Sequence, residues 1–201
     1  IGGIVGISAG GEDLGKILWK NSEWNPAVIA PSPLHLNNNE IAVTTCYGAG
    51  GGKIRIEKNG NNYRAVLVEK HSPREGMTSD QQTPILIGDH VWSIMPKDAG
   101  ELRNQLVCYH KSNLKVPVWT SSKDLRFGLG PYILRGNRLF LFNEDGELFI
   151  FRIDTGKAAL LNRYKILEGT DAWGPLAFTS GYLLLRDSEN LLCLNLGKAT
   201  L

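Results

Sequence analysis

Short apolar runs alternate with turn residues along the whole chain, and the alternation repeats. Four segments open on a proline behind a small or polar residue: SPLHLNNNEIAVT from Ser32, TPILIGDHVWSI from Thr83, GPYILRGNRLFLF from Gly130 and GPLAFTSGYLLLR from Gly174. In each, a few apolar residues lead to a turn and then to a second apolar run. The turns are Asn37-Asn38-Asn39, Gly88-Asp89, Arg135-Gly136-Asn137 and Thr179-Ser180-Gly181. Residues that accept positive φ or form Asx turns between two β-prone runs predict hairpins. A third run follows in QLVCYHKSN, GELFIFRIDTGK and NLLCLNLGK, with KIRIEKNGNNYRAVLV as a longer variant, and KVPVWTS adds a fourth ending at Trp119. No helical period competes, because EDLGKILWKN is short and interrupted by Gly15.

Pro33, Pro84, Pro131 and Pro175 are 51, 47 and 44 residues apart, the length of a four-stranded propeller blade, ~40–50 residues. Ile4 to Ser8 reads as a third strand and the run ending at Trp19 as a fourth, joined by a turn through Gly15-Lys16. The prediction is an all-β chain, a β-propeller of four-stranded antiparallel blades spanning 1–201 as one domain or propeller fragment. Blades start near residues 30, 81, 128 and 172, residues 1–20 close a preceding blade, and the last blade stops after its third strand. Sheets apolar on both faces bury themselves only by stacking, and a ring hides their edges. About four blades could close as a small ring or form the second half of a ring of seven or eight; the larger ring, with upstream blades of the same protein as neighbours, is the expectation.

Charge and cysteine usage narrow the function. Net charge is +2 and basic residues are scattered, so the concentrated stripe needed for nucleic acid is missing. No apolar run approaches the ~18 residues of a membrane-spanning helix. Cys46, Cys108 and Cys193 are odd in number and widely spaced, which argues against a disulfide framework or a cysteine metal site. Cys108 and Cys193 fall at the same place in a third strand and are expected to be buried and unpaired.

Around GELFIFRIDTGK (Gly146 to Lys157) and GIVGISAGGEDLGKILW (Gly3 to Trp19) the chain resembles the quinoprotein-like repeat, the PQQ-like β-propeller family. Asp145-Gly146, Phe149, Thr155-Gly156-Lys157, Gly15-Lys16 and Trp19 carry the match. Gly6, Cys108 and Cys193 occupy the small-residue position, where Ile150 departs from it. Arg126 to Lys198 is most similar to the outer-membrane-assembly-like and PQQ-binding-like repeat proteins of bacteria. The resemblance implies a Trp of the last strand docked between blades, kept at Trp19 and Trp119 and replaced near Val68 and Leu160. It also implies a periplasmic or cell-envelope setting.

Candidate chemistry is sparse. The quinone-dependent dehydrogenases of the family carry a vicinal cysteine pair and a calcium site, and neither pattern occurs here. His35, His71, His90 and His110 have no metal-ligand spacing. GAGGGK at Gly48 lacks the ending of a phosphate loop and leads into a strand, so it reads as a blade loop. No catalytic, cofactor or metal residue is assigned and no cofactor is expected.

The segments entering each first strand share one rim and hold Trp24, Asn25, Asp80, Gln81, Gln82, Arg126, Phe127, Asp171 and Trp173. Trp24, Asn25, Arg126, Phe127, Asp171 and Trp173 form the candidate binding set, since Trp and Arg dominate interface hot spots. Inward packing of Trp24 and Trp173 is the competing reading. The expected function is a non-catalytic scaffold that binds another protein, with a quinone-dependent dehydrogenase fragment as the alternative. A carbohydrate-active propeller would need Asp80 and Asp171, two blades apart, as the only rim carboxylates able to pair.

Overall fold

A computed structural model describes residues 2–197. Among the described residues the only helical segments are two three-residue 3-10 turns, Gly11–Asp13 and Gly100–Leu102. The strands form five antiparallel sheets in chain order. The first is the hairpin β1 (Ile4–Ile7) and β2 (Ile17–Asn21). The second holds β3 (Leu34–Asn37), β4 (Glu40–Thr44), β5 (Gly51–Asn59) and β6 (Asn62–His71). The third holds β7 (Ile85–Ile87), β8 (His90–Ile94), β9 (Leu106–His110) and β10 (Asn113–Thr120). The fourth holds β11 (Tyr132–Arg135), β12 (Arg138–Phe142), β13 (Glu147–Asp154) and β14 (Lys157–Lys165). The fifth holds β15 (Ala177–Thr179), β16 (Tyr182–Arg186) and β17 (Leu191–Asn195).

Each four-stranded sheet is an up-and-down meander, the blade of a β-propeller. First strands open one residue after Pro33, Pro84 and Pro131 and two after Pro175. Proline suits that place because it has no N–H to give to a ladder. All four hairpin turns close where the turn residues predict them. In the last, Ser180 and Gly181 have φ of 47° and 86°, the positive pair of a type I′ turn that matches strand twist.

Four shared cores stack the sheets in sequence. Ile4 and Trp19 of the first sheet pack on Val43, Ile54 and Ala65 of the second. Leu36 and Ala42 meet Val91, Val107 and Tyr109. Trp92, Ile94, Leu106 and Cys108 meet Leu139, Leu141, Phe149 and Phe151. Phe140, Phe142, Leu148 and Ile150 meet Leu183 and Leu185. Interior blades therefore bury both faces of their second and third strands, whereas the fourth strands are more exposed, β14 at all but one residue.

The small-residue position has a steric cause. Gly6 pairs with Trp19 and Cys108 with Trp119 across the last strand pair. A Cβ on Gly6 would sit 2.1 Å from the Trp19 indole nitrogen, so the ring lies over the glycine. Trp119 packs in the same way against Trp92, ring centroids 5.5 Å apart. In the other blades the place of Trp119 falls to Glu69 and Asn162 rather than to Val68 and Leu160, because bulges at Lys53/Ile54 and Ile150/Phe151 shift the register.

The expectation for the cysteines is half right. All three are free and Cys108 is buried, its thiol pushed up to about 12 by burial. Cys193 is exposed. It pairs with Leu184, on the face opposite the Leu183, Leu185 and Leu192 layer. Cys108 and Ile150 are covered because each faces the next sheet; among the described residues no sheet follows the fifth.

The GAGGGK run is structural. Cβ atoms at Gly50, Gly51 and Gly52 would fall 2.0, 2.5 and 2.5 Å from the backbone oxygens of His71, Met77 and Glu69. The buried His71 ring fills the space beside Gly51, 2.8 Å from the Met77 carbonyl oxygen and 3.1 Å from the Glu69 carboxylate.

Candidate binding rim

In an up-and-down blade the segment entering the first strand and the loop between the second and third strands lie at the same end. That end carries several cavities among the described residues. The central one, about 430 Å³, gathers residues from all four entering segments: Val28 and Ala30, Asp80 and Gln81, Gly128 and Leu129, and Trp173. The second-to-third-strand loops add Cys46 and Tyr47, Lys97 and Asp98, and Glu144. Gln81 donates its side-chain amide to the Trp173 carbonyl at 3.0 Å. Gln81 enters the third sheet and Trp173 the fifth, so segments two blades apart touch and the stack curves around this cavity. Trp173 is 40% exposed.

The rim residues expected from sequence do not form one patch. Trp24 is buried in the core between the first two sheets. Asn21 puts it there: its side-chain oxygen accepts the Glu23 and Trp24 amides while its nitrogen donates to the Ala65 carbonyl at 3.1 Å. Phe127 is buried too, edge-on to Phe149 at 5.0 Å and to Phe151 at 6.0 Å. Neither ring is available to a partner, which corrects the candidate set. Asn25 is exposed beside a side cavity it shares with Glu23, Lys70 and Glu75. Arg126 lines another, about 620 Å³, with Arg74, Arg103 and Lys123 against one acid, Glu101. The Arg126 guanidinium donates to the Arg103 carbonyl. Asp171 is exposed at φ 51°, outside the central cavity.

The carboxylates of the central cavity are Asp80, Asp98 and Glu144, so Asp80 and Asp171 are not the only rim acids. Asp80 is pushed up to about 6, first by burial and then by the neighbouring Asp98 charge, with Lys97 opposing. Its ionised form is disfavoured in the fold, and a proton or a cation relieves that cost. One oxygen of Asp98 is shielded from solvent and has no hydrogen-bond partner among the described residues. Glu144 is held in place by accepting the Leu129 amide at 2.9 Å. The sequence reading places Asp80 on the rim but not Asp98 and Glu144, which sit on second-to-third-strand loops; the parity of the strands puts those loops on the same rim.

No family model matches the chain, and no curated protein matches it. Among solved structures, the crystal structure of BamB from Moraxella catarrhalis is similar with a TM-score of 0.46 at 11% sequence identity, covering 96% of this chain and 63% of that one. The chain thus spans less than two thirds of that protein's length. Cys46 is the cysteine that lines the cavity among the described residues, and it is free. No helix among the described residues is long and apolar enough to cross a membrane.

Proposed function

We propose that this chain is a non-catalytic binding propeller of the bacterial envelope whose partner is a protein, held at the central rim cavity. The observation that carries the reading is the convergence of all four entering segments on one cavity that leaves Trp173 exposed. The second and third strands, buried on both faces, have little surface to offer, whereas loops on a rigid rim do. A half-exposed Trp in a concave, largely apolar setting has the composition of an interface anchor. The envelope setting rests on the repeat resemblance.

A photoreactive benzoylphenylalanine tests the rim assignment when placed at exposed Tyr47, on the cavity, or at exposed Asn38, in the β3–β4 turn at the opposite end. Irradiation in the native envelope should give a discrete protein adduct from position 47 and none from position 38. Equal labelling, labelling from 38 alone, or none from either would contradict the reading.

A further inference from the structure

We infer that the central cavity recognises an arginine side chain presented by a basic segment of the partner, an inference that rests on the rim being a protein-binding face. The cavity is apolar-walled at Val28, Ala30 and Leu129 and edged by the exposed rings of Trp173 and Tyr47. Its charge is one-sided: Asp80, Asp98 and Glu144 face a single cation, Lys97. The whole chain has the opposite sign at +2, so the cavity reverses the molecule's own field at one spot.

The demand for a cation is met only in part within the fold, by Lys97. Neither Asp80 nor Asp98 makes a side-chain hydrogen bond or ion pair among the described residues, and one Asp98 oxygen is buried without a partner. Burial first, and then the neighbouring Asp98 charge, hold the Asp80 carboxyl up at about 6, with Lys97 opposing. Two like charges in a half-buried cavity favour whatever positive group enters between them. Arginine suits the site better than lysine. Its planar guanidinium offers paired donors to carboxylates and stacks on aromatic faces, as the Trp173 and Tyr47 edges allow.

Acidification should release the ligand. Asp80 faces Asp98 and Lys97, and Glu144, Cys46 and Tyr47 line the rest of the cavity. A proton taken up by Asp80 as pH falls through about 6 competes directly with the guanidinium.

The test is titration of the whole chain with acetyl-Gly-Gly-Arg-Gly-Gly-amide and with its neutral citrulline counterpart, followed by NMR shifts. The arginine peptide should bind at least about tenfold more tightly, a charge-assisted pair outweighing a neutral one. Asp80→Asn and Asp98→Asn should each erase most of that preference at a melting temperature no lower than the parent chain's, and Lys97→Ala should strengthen it. Affinity should fall between about pH 7 and about pH 5 in the native chain and stay flat in Asp80→Asn. Equal binding of the two peptides, or an arginine preference that survives both Asp substitutions, overturns the inference. A partner adduct from position 47 together with no arginine preference leaves the rim reading standing and removes only the arginine.

Discussion

Phe127→Ala is expected to cost roughly 3–5 kcal/mol of folding stability, the range for emptying a buried aromatic site. Phe127 lies on an entering segment but fills the wedge between the third and fourth sheets, 1% exposed, packed with Trp92, Leu139, Phe149 and Phe151. Its amide donates to the Asn104 carbonyl at 2.7 Å, so the backbone stays anchored and the loss falls on the core. Neighbouring strands commit Phe149 and Phe151 to the same space, leaving little room for collapse. Denaturant melts of the variant should move to lower midpoint with unchanged slope. A loss below about 1 kcal/mol would mean that Phe127 is a surface ring after all.

Gly146→Ala should be nearly as damaging, for a steric reason. Gly146 has φ 71°, and a Cβ there would lie 2.2 Å from the Leu167 carbonyl oxygen and 2.8 Å from the Gly169 amide nitrogen. Its own carbonyl accepts the Ile166 and Leu167 amides at 2.9 and 3.1 Å. The segment that enters the fifth sheet and carries Trp173 is therefore laid directly on this glycine. Left-handed strain alone costs about 1–3 kcal/mol, and backbone on the far side cannot yield as a flexible side chain would. Gly136→Ala is the control: φ is 57° but nothing lies within 4 Å of its Cβ, so only the strain remains. Calorimetry should rank Gly146→Ala well below Gly136→Ala in melting temperature. Equal losses would show that the contact with Leu167 does not matter.

The Asp145-Gly146 of the repeat motif thus has a mechanical meaning that spacing alone does not reveal. Blade boundaries were legible because proline, turn and apolar run recur in one order, and each is a local preference. Burial on the entering segments was not, because Trp24 and Trp173 have similar neighbours in sequence. What separates them is the Asn21 side chain that folds Trp24 onto Ala65, against the Gln81 bond that holds Trp173 by its carbonyl and leaves the ring outside. Cys193 was misjudged for another reason. Equivalence within a repeat predicts which face a residue shares, but burial needs a sheet on that face. Asp98 and Tyr47 come from loops with no motif, and only the antiparallel strand order puts them on the cavity.

The most direct measurement of the central claim is the affinity of Trp173→Ala for the protein cross-linked at position 47, read beside its thermal melt. The variant keeps the carbonyl that accepts the Gln81 amide and removes only the half-exposed indole. Loss of a hot-spot aromatic is worth ~2 kcal/mol or more. Binding should weaken at least about tenfold while the melting temperature stays within a degree or two of the parent chain, the mark of a surface ring. A melting temperature lower by many degrees with binding spared would make Trp173 a core residue and the cavity a packing defect.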